Sequence, residues 1–227
     1  MADGARTAKA HPSQREQAAA EARTRILAAT AECIVRDGLA QVRMASIART
    51  AGVSAGLLHY HFDSKELLFG EVLKYSHGVS MELNRRAMAG AGEGPAERLS
   101  SFLDRCLPSD ERLAHEWLLW QELDLLCLRN PELAKVGADL YEDLYSSVAA
   151  IITDGVATGD FTTDLPPRMV AETAVALCDG LGARVLANDP NLTLTDARAT
   201  LAAAVGTLVG HAGPLPAPTG TLTGART

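Results

Sequence analysis

Three features of the sequence predict an all-α fold of about nine helices, three in a small N-terminal part and the rest in a larger C-terminal one. Aromatic residues make up only 4% of the chain while Ala and Leu abound, so the β-branched and aromatic residues that fill strands are scarce. Apolar residues recur at three- and four-residue spacing, as on one face of a helix. Gly and Pro punctuate those runs at intervals suited to helix ends.

Residues 1–15 mix Ala, Gly, His, Pro and basic residues without periodicity and read as a flexible arm. Arg6, Lys9 and Arg15 could reach a minor groove or phosphates as an arm, although a disordered tail with no role is the better reading of them. From about Glu16 the chain turns helical, with Ile26, Ala29, Cys33 and Ile34 as the buried stripe and Gly38 as the stop. Ile47, Ala48 and Ala51 then mark a two-turn helix, ended by Gly52. After a tight corner at Val53, Ser54 serves as N-cap of a second short helix, Ala55 to Phe62, anchored inward by Leu58 and Phe62.

What that helix leaves outside is a low-relief first turn, Ala55, Gly56 and Leu57, followed by His59, Tyr60 and His61. Two short helices about a Gly, the second small at its start and polar-aromatic afterwards, suit a helix-turn-helix entering the DNA major groove. A plain helical hairpin is the competing reading of the spacing.

A long helix follows, from Lys65 towards Ala89, capped by Ser64. Beyond a break at 90–95, helices are expected over 95–107, from Asp110 to about Arg129, and from Asn130-Pro131 to about Gly155–Gly159. The last two, about 167–187 and 195–209, are rich in Ala, Gly, Leu and Val. Two such low-relief helices from each subunit would form a four-helix homodimer interface. The Pro, Gly and Thr of 211–227 read as a disordered tail. The domains expected are thus 16–80, with the helix-turn-helix at about 43–62, and 81–210 for effector binding and dimerisation.

Charge follows the same division. Residues 1–80 carry 10 Lys+Arg against 8 Asp+Glu, and residues 81–227 carry 11 against 20. The acidic part is repelled by phosphate and should lie away from a duplex. Cys33, Cys106, Cys127 and Cys178 sit far apart in apolar helical runs and read as reduced core thiols. No apolar stretch is long enough for a membrane span, so a cytoplasmic protein without membrane contact is expected. No phosphate loop, nucleophile elbow, metal pair or carboxylate dyad stands out, which argues against an enzyme, a metal or a cofactor. His59 and His61, two apart on a helix, point away from each other and are poor co-ligands.

The residues of the helix-turn-helix carry a family resemblance. Ile47-Ala48, Ala51-Gly52-Val53-Ser54, His59-Tyr60-His61-Phe62 and Ser64-Lys65-Glu66, in this order and spacing, resemble the DNA-binding domain of the TetR family of bacterial repressors, over about Thr24 to Leu73. The resemblance implies phosphate contact at Lys65 and at Arg43, which stands where the family usually carries Thr. It also places Ser54, Ala55, Gly56, Leu57, His59, Tyr60 and His61 against DNA. Leu57 and His59 replace a frequent Thr and Tyr, so readout rests more on shape and apolar contact.

More loosely, Trp117 to Leu123, Arg129 to Leu133, Asp179-Gly180-Leu181 and Asn188-Asp189-Pro190 resemble the C-terminal domain of the branch containing the choline-responsive betaine regulator. That implies a ligand pocket among the middle helices. Trp117, Trp120 and Asp124 share a helix face at i, i+3 and i+7, Glu116 adjoins Trp120, and Tyr141 pairs with Tyr145 at i, i+4. Aromatic faces beside carboxylates suit a cationic amine; an apolar or amphipathic effector is the other reading, and Phe102 serves either.

Together these readings point to a ligand-responsive, homodimeric repressor on a pseudo-palindromic operator, released by a small molecule. The alternatives are an architectural or protein-interaction factor of the same fold without an effector, and a helical lipid or amine carrier.

Overall fold

The computed structural model describes residues 13–88 and 94–218, and among them places nine helices and no strand. In chain order these are α1 (Gln14–Asp37), α2 (Met44–Thr50), α3 (Ala55–His61), α4 (Lys65–Met88), α5 (Pro95–Arg105), α6 (Glu111–Cys127), α7 (Pro131–Thr158), α8 (Pro167–Leu186) and α9 (Leu194–Leu208). The chain divides into two compact units, Met1–Val72 and Leu73–Thr227. α4 is continuous across the division.

In the first unit, α1 begins earlier than its apolar pattern implied, because Ser13 and Glu16 form a reciprocal capping box before any buried residue occurs. Residues 13–15 of the expected arm thus belong to the capped start of α1, and residues 1–12 lie outside the described residues. Ile26, Cys33, Ile34, Ile47, Leu58, Leu68 and Val72 are wholly buried and knit the first three helices to the start of α4. Arg23 reinforces that packing: its guanidinium pairs with Glu71 and lies 5.4 Å from the Phe62 ring centroid. At the corner between α2 and α3, Gly52 takes φ +64, and the Val53 N–H donates to the Ala48 carbonyl at 3.0 Å. A Cβ on Gly52 would meet nothing within 4 Å, so Gly is needed for its backbone conformation and not for space.

In the second unit, α5, α7, α8 and α9 enclose one core built on Phe102, Val148, Ile152, Phe161, Val175, Leu201 and Val205. Ion pairs lace its helices together: Arg98 to Asp154, Arg198 to Asp104, and Arg168 to both Glu142 and Glu172. The disordered reading of 211–227 needs correction for 211–218. Leu215 is buried in the core, its N–H donates to the Ala202 carbonyl, and the Pro216 carbonyl accepts from Ser100 Oγ at 2.6 Å. Composition hid this strap, because it is held by a single buried Leu and largely through backbone groups. Residues 219–227 lie outside the described residues.

Candidate functional site

The first candidate site is the exposed side of α3. The Ser54 side chain accepts from the Leu57 N–H at 3.1 Å, and Ser64 caps α4 in the same way through Leu67. Arg43 sits at the N-cap position of α2 with no side-chain cap bond, which leaves its guanidinium in solvent. Ala55, Gly56 and His59 are exposed, and Tyr60 is 78% exposed, unusual for an aromatic ring with no task on a free surface. Lys65 opens α4 with its ammonium 5.4 Å from the Phe69 ring centroid.

Two expected contact residues sit deeper. Leu57 is half-buried, and His61 turns inward beside the rings of Tyr60 and Phe62, its Nε2 buried without a hydrogen-bond partner among the described residues. His61 follows the inner face because it stands three residues after Leu58 on the same helix. The readily offered residues are therefore Arg43, Ser54, Ala55, Gly56, His59, Tyr60 and Lys65.

The second candidate site is a cavity of about 210 Å³ within the second unit. α6 supplies Glu116, Trp117, Trp120 and Asp124; α7 supplies Tyr141 and α8 Asp179; α4 contributes His77, Ser80, Met81 and Asn84; Arg105 and Cys106 close one end. Five of the seven residues expected there line it. Phe102 does not: it is wholly buried in the core, on the face of α5 turned to the bundle. Nor does Tyr145, which lies 5.8 Å from the Tyr141 ring but beneath the guanidinium of Arg168, at 4.7 Å. Helical spacing shows which residues share a face, and α7 rotates enough over one turn to carry the second Tyr past the opening. Cys106 lines the cavity, so the reading of all four thiols as core is corrected; Cys127 is also half-buried.

The walls combine aromatic surface with carboxylates. Trp117 is fixed by donating its indole N–H to the Cys106 carbonyl at 3.2 Å, and its ring lies so close to α8 that a Cβ on Gly182 would overlap it. Trp120 meets His77 edge-on at 6.3 Å. Burial pushes the Asp124 carboxyl upward. Asp179 rises to about 6 through burial and then through the neighbouring Asp124, against a hydrogen bond from the Tyr141 hydroxyl at 3.4 Å. Glu116 is likewise raised by burial, offset in part by Arg112 at 3.1 Å. His77 is held down by burial, with partial relief from Asp143, whose Oδ2 is 3.5 Å away. A wall of Trp and Tyr faces with two neighbouring carboxylates offers a cation both ring quadrupoles and charge.

His77, Asn84, Arg105 and Asp179 were missed by sequence reasoning. The first two belong to a stretch of α4 that reads as a connector, a lone Arg at the end of α5 carries no periodic signal, and Asp179 enters the sequence reading only within the Asp179-Gly180-Leu181 resemblance and not as a wall residue.

Among the described residues no helix is long and apolar enough to cross a membrane, and no group of three or more His, Cys, Asp or Glu is placed to hold a metal ion.

Comparison with known proteins gives the same division. Residues 26–72 match the family of bacterial regulatory proteins, tetR family, and residues 95–210 match the C-terminal domain of BetI-type transcriptional repressors. The HTH-type transcriptional regulator UidR of Escherichia coli K12 is 28% identical over 171 residues, 74% of this chain and 83% of the relative. The HTH-type transcriptional regulator BetI of Agrobacterium fabrum is 29% identical over 161 residues, 70% of this chain and 74% of the relative. Among solved structures, a transcriptional regulator from Saccharomonospora viridis in complex with choline superposes with a TM-score of 0.74 at 28% identity, covering 86% of this chain and 98% of that one. The cavity residues of α4 fall between the two matched segments.

Proposed function

The chain belongs to the TetR family of bacterial transcriptional regulators, and from that premise we propose that it is a cytoplasmic, homodimeric repressor released from a pseudo-palindromic operator by a small cationic effector. The observation that carries the effector reading is the cavity itself, where Trp120 and Tyr141 stand beside Asp124 and Asp179. A cavity of about 150 Å³ takes a benzene ring, so one of about 210 Å³ suits a ligand on the order of ten heavy atoms. That size favours a compact amine over an extended amphipathic chain. The choline-bound relative supports the same chemistry.

α3 enters the major groove of each half-site, with Ala55 and Gly56 giving close approach, His59 and Tyr60 reaching base edges or phosphates, and Arg43 and Lys65 anchoring the backbone. Exposed small residues on α8, including Thr173, Ala176 and Gly180, and on α9, Ala199, Ala203 and Thr207, support subunit pairing through these helices. Because His77 to Asn84 form part of the cavity wall on α4, a bound effector displaces the helix that begins at Lys65. A coupling of about 1–3 kcal/mol changes operator occupancy 5- to 150-fold.

The test is protection of the DNA flanking the gene, at two salt concentrations and with choline added, for wild type and Lys65→Ala. Palindrome-sized protection, a shallower salt dependence in the variant and release by choline are expected. Protection indifferent to choline and to related small amines would favour a DNA-binding factor without an effector.

A further inference from the structure

Ions that face neighbouring helices in the second unit are mostly paired, as Arg98 with Asp154, Arg198 with Asp104 and Arg112 with Glu116. Three residues of the cavity depart from this. Among the described residues Asp124 and Asp179 have no cationic partner, and Arg105 has no carboxylate within ion-pair distance. Arg105 donates Nε–H to Asn84 Oδ1, which leaves its terminal nitrogens unused and leaves Asn84 with only its Nδ2 donors. Half-burying a charge without a partner is unfavourable, and here Asp124 and Arg105 are half-buried in one cavity, with the more exposed Asp179 at its rim.

The two signs occupy opposite ends. Arg105 acts on Glu116, whereas Asp179 and Tyr141 feel Asp124. Glu116 and Asp124 stand eight residues apart on α6, about 12 Å along the helix axis. At the first end Arg105 and Arg112 outweigh Glu116; at the second the charged groups among the described residues are the carboxylates Asp124 and Asp179, beside the neutral Tyr141 and Cys127.

Resting on the proposed effector function, we infer that the effector is a zwitterion, an ω-ammonio carboxylate, whose ammonium lies among Trp120, Tyr141, Asp124 and Asp179 and whose carboxylate is held by Arg105 and Asn84. The two ends lie beside residues about 12 Å apart along α6, which calls for a ligand whose charges are separated by several methylene carbons and not by one. A plain cation leaves Arg105 unanswered, and a plain anion leaves the aspartates so. The planar guanidinium fork, with Nη1 and Nη2 unused, matches a carboxylate in a way that a hydroxyl does not.

The experiment compares 4-(trimethylammonio)butanoate with its methyl ester, which keeps the cation and removes the anion. Both tryptophans of the chain line the cavity, so intrinsic fluorescence follows binding to the intact protein. In wild type the zwitterion binds at least tenfold tighter than the ester. Arg105→Gln reduces that ratio to within twofold by weakening the zwitterion and not the ester, Arg105→Lys restores part of it, and Asp124→Asn weakens both ligands at least tenfold. A thermal melt of each variant establishes that it folds. Equal binding of zwitterion and ester in wild type, or a ratio that survives Arg105→Gln, overturns the inference but leaves a cation site. Binding of neither overturns the cationic effector as well.

Discussion

On the proposed function, the carboxyl of Asp179 makes binding of a cationic effector a proton-linked reaction. In the ligand-free protein it titrates at about 6, lifted first by burial and then by Asp124. A bound trimethylammonium group favours the ionised form and lowers that value again, so binding expels a proton wherever the free carboxyl was protonated. The sign follows: affinity rises with pH through 6 and levels off above 7. Between pH 7 and pH 5 the ionised fraction falls from about nine-tenths to about one-tenth, so affinity falls severalfold, up to about tenfold, solvent screening at the exposed carboxyl reducing the effect. Asp124, raised by burial, adds in the same direction. Titration calorimetry at pH 6 in two buffers of different ionisation enthalpy counts the protons, and about half a proton per ligand should be released. Asp179→Asn should remove most of the release and flatten the profile. Proton uptake, or affinity constant within twofold from pH 5 to 7, would refute the placement of the cation beside this carboxylate.

Four further outcomes follow from packing and backbone geometry. Phe102→Ala should destabilise the protein by about 3–5 kcal/mol in urea unfolding, as for a ring wholly inside a core. Ligand affinity, measured where the variant is folded, should stay within twofold. Gly52→Ala places a side chain at φ +64 and should cost about 1–2 kcal/mol, read as a lower melting temperature and weaker operator binding. Gly182→Ala forces the Trp117 ring away from α8, with an overpacking penalty of about 1–3 kcal/mol and a shifted tryptophan emission. Ending the chain after Gly210 removes Leu215 from the core and should lower stability by roughly 1.5–3 kcal/mol in thermal unfolding.

Helix existence and order were legible in the sequence because Gly, Pro and capping residues stand at nearly every boundary, as Gly38, Ser54, Ser64, Asn130-Pro131 and Gly159 illustrate. The α6 wall of the cavity was legible for a related reason: Glu116, Trp117, Trp120 and Asp124 share contiguous faces of one helix, whose bulk and charge are unusual together. What that wall faces depends on the rotation and approach of other helices, which spacing along one chain does not carry. Hence Phe102 was placed in the cavity and belongs to the core, Tyr145 was placed in it and stacks beneath Arg168, and Arg105 went unread. The inward turn of His61 has the same origin, since a seven-residue helix has no face far from its anchor.

The mutual repulsion of Asp124 and Asp179 has a bearing on how long the protein survives in a cell. Two carboxylates held together without a counter-charge weaken the folded state at neutral pH, and a ligand that neutralises them stabilises it by about 2.7 kcal/mol at a hundredfold excess over its Kd. Proteolysis drawn from the transiently open population slows by the corresponding factor. On the proposed function, the effector would thus set the amount of regulator as well as its occupancy of DNA, since ligand-free chains would open, and be cleaved, more often.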